Sequence, residues 1–321
     1  GVLPAEAVNT GLLGANFSAP TIDLKEGQRF YLSLTNVGMA MRPDLFDPHT
    51  VHFHGFPNQA PVFDGMPEGS FGVNMGSSVT YFYNITEPGT YIYHCHMEAT
   101  EHMQMGMLGQ LFVRPAQDGT SKTYNGKTFT KFVYNDGDGS TGYDRAYPIQ
   151  LGSLDGKFHE DHLAIQPLPF ANMRDTYALL NGRGYPDTVN PDPLPTPTVE
   201  GASVNNDHQS QKLSALITAT AGEKILLRLS NLSVTNYYTV TALGLPMRVV
   251  GGGAHIARGP GGKNLYYDTS SVTLGGGETS DVIVDTAGIA PGRYFFYTTN
   301  LNYLSNDQQD FGGMMTEIIL Q

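Results

Sequence analysis

The sequence YHCHMEATEHMQMGM, residues 93–107, contains the single cysteine of the chain and three of its ten histidines. Cys95 stands between two histidines, and His102 and Met107 follow in the same run. A cysteine thiolate, two imidazoles and a methionine thioether are the ligands of a blue-copper electron-transfer site, with the methionine on the axis. The stretch therefore predicts a copper site and a fold able to hold its ligands in place.

A second histidine-rich motif, DPHTVHFHG, occupies residues 47–55. The first motif supplies three of the four ligands, and a site clamped by the fold needs its remaining ligand on another strand. His49 is the candidate for that fourth ligand.

The spacing of the other histidines indicates that they point away from the cysteine. Successive side chains of an extended strand point to opposite faces. His52 and His54 are therefore expected to share one face. His94 and His96 are expected to share another, with Cys95 turned the opposite way. Cys95 can therefore lie inside its domain while His94 and His96 present their imidazoles outward.

Composition predicts an all-β protein. The chain has 321 residues, of which 40% are apolar, and it contains 38 Gly and 20 Pro. This length exceeds that of most single domains, and the abundance of turn-forming, β-branched and aromatic residues is typical of short strands joined by tight turns. The net charge of −12 argues against a surface for nucleic acid or anionic membranes.

Strand-like runs separated by turn residues continue along the whole chain, as in a β-sandwich. In the first part they lie at 21–24, 29–34, 51–55, 78–85, 89–94 and 108–113. In the second part they lie at 129–134, 215–220, 224–230, 238–250, 271–274, 279–285, 293–298 and 315–320. The polar, turn-rich segment 115–121 is the predicted linker, which gives domains at residues 1–118 and 119–321.

The two halves read as a weak internal repeat. Residues 24–36 are echoed by 219–231, and the Pro-Gly strand start at 87–91 is echoed at 290–294. We interpret this as duplication of one fold, with copper ligands retained only in the first half.

Neither a membrane-spanning apolar run nor a charged-then-apolar leader is present in the sequence, which starts at Gly1. We expect a mature form of an exported protein, located in the periplasm or outside the cell.

Together the motifs resemble the cupredoxin superfamily of multicopper oxidases and copper nitrite reductases. The pattern His49-x2-His52-x-His54-Gly55, followed by His94-Cys95-His96-x5-His102-x4-Met107, is most similar to small two-domain, laccase-like multicopper oxidases with blue copper in the first domain. The resemblance implies two cupredoxin-like Greek-key β-sandwich domains and copper as cofactor. It also implies that type 1 copper is bound by His49, Cys95, His102 and Met107, that His52 faces type 2 copper, and that His54, His94 and His96 face the type 3 pair.

The second half departs from this pattern. A complete trinuclear centre in the family uses eight histidines from two facing domains, but residues 236–244 and 294–302, which should carry half of them, contain none. The remaining histidines, His159, His162, His208 and His255, are in loop-like settings and are expected to be solvated. Two-domain relatives form ring-shaped homotrimers that share the centre between subunits. The second site of this chain is therefore a reduced copper site, a site completed by a different protein, or absent.

The function that these features imply is that of a copper-dependent oxidoreductase. A small molecule or small redox protein would donate single electrons at the type 1 site. Cys95 would pass them to the second site, where oxygen or a nitrogen oxide accepts them. One alternative is an electron-transfer protein with a vestigial second site. Another is a nitrite reductase-like enzyme, against which His52 counts because those relatives have aspartate there. Glu98, Glu101 and Asp64 are the nearest acids that could relay protons.

Overall fold

The computed structural model describes residues 16–38, 44, 46–56, 60–162, 168–196 and 209–321, and it describes His162 by its backbone only. These residues form an all-β structure, which confirms the predicted fold class. The strands of the first half are β1 (Ile22–Lys25), β2 (Arg29–Thr35), β3 (His52–Phe53), β4 (Ser78–Asn84), β5 (Gly89–His94) and β6 (Leu108–Arg114).

Eighteen further strands follow among the described residues. They are β7 (Lys122–Tyr124), β8 (Lys127–Phe129), β9 (Arg145–Leu154), β10 (Tyr177–Leu180), β11 (Leu194–Pro195), β12 (Gln209–Ser210), β13 (Ile217–Ala219), β14 (Lys224–Asn231), β15 (Tyr238–Ala242), β16 (Met247–Gly252), β17 (His255–Ile256), β18 (Tyr267–Thr269), β19 (Val272–Leu274), β20 (Thr279–Asp285), β21 (Gly292–Thr298), β22 (Ser305–Asn306), β23 (Gln309–Gly312) and β24 (Met315–Leu320).

Helices are short. The described α-helices are α1 (Ala99–Gln104) and α2 (Gly156–His162), and 3-10 turns occur at Pro61–Phe63, Phe170–Asn172, Asp187–Val189 and Leu301–Leu304. None of the helices in the described part of the chain has the length and apolarity needed to cross a membrane.

The first half packs one sheet, in the order β1-β6-β5-β3, against the antiparallel pair β2-β4. Alternate residues of β2 are exposed, as expected for a strand with one face on the core. The core between these layers is aromatic and includes Phe53, Tyr83 and Tyr91. Burying each such ring contributes on the order of 2–3 kcal/mol.

The second half is larger. One sheet runs β10-β9-β14-β20-β16-β17, with β18 added to β16, and the facing sheet runs β13-β24-β21-β15-β19. Leu227 and Val282 of the first sheet pack against Val240, Phe296 and Ile318 of the second. No pairing between described strands crosses residue 118. The boundary at residues 118 and 119 stays a prediction.

The two halves repeat the same strand pairings. In the first half β1 lies parallel to β6, with Ile22 opposite Leu111, and in the second half β13 lies parallel to β24, with Ile217 opposite Ile318. The antiparallel pair β2-β4 is matched by β14-β20, and β3-β5 is matched by β15-β21. These correspondences support the duplication inferred from the sequence.

Strand β5 of the first half contacts β14, β16 and β20 of the second half, and all six of its residues are buried. The Thr90 hydroxyl donates to Asp281 Oδ1 at 2.6 Å, and the Tyr134 hydroxyl donates to Asp281 Oδ2 at 2.6 Å. The guanidinium of Arg228 donates to Thr90 Oγ1 at 3.0 Å and lies 3.4 Å from the Asp281 carboxylate. Arg228 and Asp281 are essentially inaccessible to solvent. The second half thereby fixes the strand that ends at His94.

Candidate metal centre

Cys95 and two histidines converge in the interior of the first half. The Cys95 sulfur lies 3.4 Å from His102 Nδ1 and 3.9 Å from His49 Nδ1. All three residues are buried. A thiolate and two imidazole nitrogens at this spacing form a donor set suited to copper.

Backbone contacts hold the cysteine in this position. Cys95 N–H donates to the carbonyl of Met107 at 2.9 Å, which brings the two ends of the 95–107 segment together. The N–H of Thr50 points at the sulfur, 3.5 Å away. Met107 lines a cavity of about 320 Å³ together with His49 and Cys95. The four residues predicted for the type 1 site are thus brought into one neighbourhood.

Helix α1 presents His102. It begins after Glu98, whose left-handed conformation (φ 47°) turns the chain sharply after the cysteine. Met107 N–H donates to the carbonyl of His102 at 3.0 Å and closes the turn after the helix. One short loop therefore supplies a sulfur, an imidazole and a thioether.

Asp47 contacts the outer side of both imidazoles. Its Oδ1 lies 3.0 Å from His102 Nε2, and its Oδ2 lies 3.6 Å from His49 Nε2. A carboxylate on the remote ring nitrogen fixes the orientation of an imidazole whose other nitrogen faces a metal. The sequence analysis missed this role, although Asp47 precedes His49 by only two positions.

The charges of the site favour the thiolate. Burial raises the pKa of the Cys95 thiol, but hydrogen bonds with His102 and His49 outweigh burial and lower that pKa to about 6. Burial lowers the pKa of His102, but hydrogen bonds with Asp47 and Cys95 outweigh burial and raise that pKa to about 10. The thiolate is the form of cysteine that binds metals.

Three further imidazoles converge on the opposite side of Cys95. One ring nitrogen from each of His52, His54 and His94 lies within 4.8 Å of the others. The Nε2 atoms of His54 and His94 are 2.9 Å apart. Strand pairing brings the first and third of these rings together, because His52 and His94 are direct partners in β3 and β5.

Each of these three imidazoles is oriented through its other nitrogen. His52 Nδ1 lies 2.6 Å from the carbonyl oxygen of Asp64, and His94 Nδ1 lies 2.6 Å from that of Cys95. His54 Nδ1 lies 3.4 Å from the carbonyl oxygen of Gly277. Such contacts leave the Nε2 atoms to face a metal.

Burial keeps two of these rings neutral. Desolvation lowers the pKa of His94 to about 3, although the hydrogen bond with the Cys95 carbonyl opposes the shift. Desolvation and the neighbouring His52 also lower the pKa of His54. Neutral imidazole is the form that coordinates metals.

The ring of His96 packs against this cluster, in which the centroids of His52 and His94 are 5.5 Å apart. Its ring centroid is 5.2 Å from that of His52 and 5.4 Å from that of His94. It is outside the group of three close donor nitrogens. The structure therefore brings all four outward histidines together, and the donor nitrogens of His52, His54 and His94 form the close group among them.

The other described histidines lie elsewhere. The prediction of loop-like settings is wrong for His159 and for the backbone of His162, which belong to α2, and for His255, which begins β17. His159 Nε2 is 3.0 Å from Gln104 Oε1. His255 is exposed and contacts the carbonyl of Gly253. The side chain of His162 and all of His208 lie outside the described residues.

Gln104 connects the His102 helix to the second half. Its Nε2 donates to Asp175 Oδ1 at 2.6 Å, and its Oε1 accepts the N–H of Asp155 at 3.1 Å. Only 2% of Gln104 is exposed, so the contact is enclosed. Sequence reasoning had no signal for this residue, because both partners are more than fifty positions away.

The acids singled out as proton relays have different environments. Asp64 lies beside the imidazole cluster, with Oδ1 3.4 Å from His52 Nδ1. Glu101 is buried in α1, and Glu98 is exposed. The carboxylate of Asp64 thus lies beside the His52 imidazole, while the Glu98 carbonyl accepts the backbone N–H of His102 at 3.1 Å.

Comparisons with known proteins agree with this arrangement. A multicopper oxidase family model matches residues 4–118, and a second model with the same description matches residues 170–321. The chain is 25% identical over 290 residues to putative laccase-17 of Oryza sativa subsp. japonica, a match that covers 89% of the chain and 42% of the laccase. It is 37% identical over 99 residues to the iron transport multicopper oxidase fetC of Epichloe festucae, covering 29% of the chain and 15% of the oxidase.

The fold is similar to that of a blue copper oxidase from Nitrosomonas europaea. The TM-score is 0.67 at 20% identity, and the match covers 96% of this chain and 77% of the other. The chain spans less than half the length of both curated relatives. Family models nevertheless match most of it in two consecutive parts. The chain therefore belongs to the multicopper oxidase family, whose cofactor is copper.

Proposed function

We propose that this protein is a laccase-like, copper-dependent oxidoreductase. It takes single electrons at a type 1 copper held by His49, Cys95, His102 and Met107. It passes them through Cys95 to a second copper site at His52, His54, His94 and His96. Bound copper supplies the one-electron chemistry at both sites. The observation that carries the proposal is that Cys95 and His94 are adjacent in the chain yet face different donor clusters.

The connection between the clusters is short. The Cys95 sulfur belongs to one cluster, and the Cys95 carbonyl oxygen lies 2.6 Å from Nδ1 of His94 in the other. One residue thus reaches both clusters, by its side chain and by its backbone. This supports Cys95 as the electron path between them.

The burial of Cys95 and His94 supports electron transfer between two sites that are shielded from solvent. Cys95 is 3% exposed and His94 is 5% exposed. The partly accessible Asp47 is bound to both imidazoles of the first cluster and marks the side from which a donor would approach. We propose a small molecule or a small redox protein as donor, and oxygen or a nitrogen oxide as acceptor.

One observation favours the alternative of an electron-transfer protein with a vestigial second site. The described contact of the second half with the imidazole cluster is the Gly277 carbonyl rather than an imidazole. Homotrimeric assembly and a periplasmic or extracellular location remain proposals. Solution mass and cell fractionation test them.

The substitution Cys95→Ser tests the proposed function. The variant should lose the intense visible band of thiolate-bound copper and the oxidation of any donor, while far-ultraviolet circular dichroism is unchanged. A matched His255→Ala variant, at an exposed histidine, should keep both. Survival of the visible band in Cys95→Ser would contradict the type 1 assignment.

A further inference from the structure

We infer that the second site of this chain holds a single copper, bound by His52, His54 and His94 and closed by the backbone at Gly277. His96 lies outside its ligand set. This inference rests on the proposed function and specifies its second site. It replaces the trinuclear arrangement implied by the sequence resemblance with a mononuclear one.

The first reason is the spacing of the donor atoms. Two nitrogens that bind one first-row metal ion at about 2 Å each can approach to about 3 Å when their bonds are at right angles. His54 Nε2 and His94 Nε2 are 2.9 Å apart, and a nitrogen of His52 is within 4.8 Å of both. A centre with several ions about 3.5–4 Å apart needs additional donors on the far side of each ion. The three clustered nitrogens are sufficient for one ion.

The second reason is that these three rings, and not the fourth, are set for coordination. Carbonyl oxygens of Asp64, Gly277 and Cys95 face the Nδ1 atoms of His52, His54 and His94. This is the usual outer support of a metal-binding imidazole. The ring of His96 is instead stacked on that of His94, with 30° between their planes. The described contact of His96 with Thr50 is made by its backbone N–H.

The third reason is the way in which the second half closes the site. Gly277 has φ +88°, and a Cβ built on it would lie 2.8 Å from Cε1 and 3.0 Å from Nδ1 of His54. Any side chain at position 277 would therefore collide with the ligand ring. At this contact the second half has room for backbone only, so it orients His54 without adding an imidazole of its own.

Copper content and electron paramagnetic resonance of the fully loaded protein test the inference. An isolated cupric ion is detected by this resonance, whereas a strongly coupled pair is silent. We expect about two coppers per chain, both detectable, one of them with the type 1 signature. About four coppers per chain, or a silent pair, would overturn the inference. About one copper with an intact visible band would overturn it too, while leaving the type 1 assignment in place.

Two histidine variants provide the matched comparison. His54→Ala should lose the second copper and keep the visible band, which also shows that the variant is folded. His96→Ala should keep both coppers. Loss of the second copper in His96→Ala to the same extent as in His54→Ala would overturn the assignment of three ligands. Failure of the proposed function is distinguishable from failure of this inference, because the former would appear as a visible band that survives in Cys95→Ser.

Discussion

The end of β5 in the first half and the end of β21 in the second half occupy equivalent places in the two repeats. Counted from the shared Pro-Gly, His94 and Cys95 correspond to Tyr297 and Thr298. The backbone pairings are the same, since His94 faces Leu108 and Tyr297 faces Met315 on equivalent last strands. After these positions the first half forms α1 with His102, and the second forms the 3-10 turn Leu301–Leu304.

This difference shows that the strand framework permits a cluster of candidate metal ligands without requiring one. The same ladder accepts a cysteine or a buried threonine, since both side chains are small and point inward. The chemistry depends on a few side chains at the strand end and on the loop that follows. The second half, without ligands at its own end, contributes packing and one carbonyl to the site of the first.

The largest effect should come from breaking that packing at Asp281. In Asp281→Ala the buried guanidinium of Arg228 would lose its charge partner, which costs about 3–5 kcal/mol of the free energy of unfolding. Chemical denaturation measures the loss. The exposed pair Arg248 and Asp268 is the control, and Asp268→Ala should cost at most about 1 kcal/mol. Equal losses in the two variants would show that the buried pair contributes no more to stability than the exposed pair.

A smaller effect is expected from two Gly→Ala variants, which separate the cost of backbone strain from the effect of contact with the His54 ring. Gly277 and Gly27 have nearly identical φ angles, +88° and +87°, but a Cβ at Gly27 meets no atom within 4 Å. Both Gly→Ala variants should lose about 1–2 kcal/mol to backbone strain. Only Gly277→Ala should also weaken binding of the second copper, as measured by copper content against a competing chelator. Full copper binding in Gly277→Ala would contradict the role of this loop.

The smallest effect concerns Asp47. The Asp47→Asn variant removes a negative charge beside both imidazoles of the proposed type 1 site, so cupric copper should be stabilised less and its reduction potential should rise. For a carboxylate that is partly accessible, about 1 kcal/mol is expected. Titration of the visible band with redox mediators measures the shift. Asp64→Asn, beside His52 instead, should leave this potential unchanged. An unchanged potential in Asp47→Asn would exclude electrostatic tuning by Asp47.

Much of the fold was predictable because its strands follow simple alternation between turn residues. The predicted runs 89–94, 279–285 and 315–320 coincide with β5, β20 and β24. The predicted run 238–250 was wrong as one strand, because a turn with Gly244 at φ +78° divides it into β15 and β16. Strand β9 was missed because it contains Pro148, and proline normally argues against a strand interior.

The clustering of the candidate donor residues was predictable from local spacing, whereas the contacts that support them were not. His52 and His54 are two positions apart, and all predicted type 1 ligands except His49 lie within thirteen residues of one another. Gly277, by contrast, is 223 positions from His54 and contacts it only after the halves pack. Gln104 and its partner Asp175 are 71 positions apart. Contacts of this kind depend on tertiary structure and leave no periodic signal in the sequence.

Reoxidation of the reduced protein tests the central claim, that electrons pass from the Cys95 site to the imidazole cluster. The protein would be reduced without oxygen until the visible band is bleached, then mixed rapidly with oxygenated buffer or nitrite. If Cys95 connects the two sites, the band should return at least about a hundredfold more slowly in His54→Ala than in the wild type or in His255→Ala. Equal rates of return in all three proteins would contradict electron transfer through the cluster.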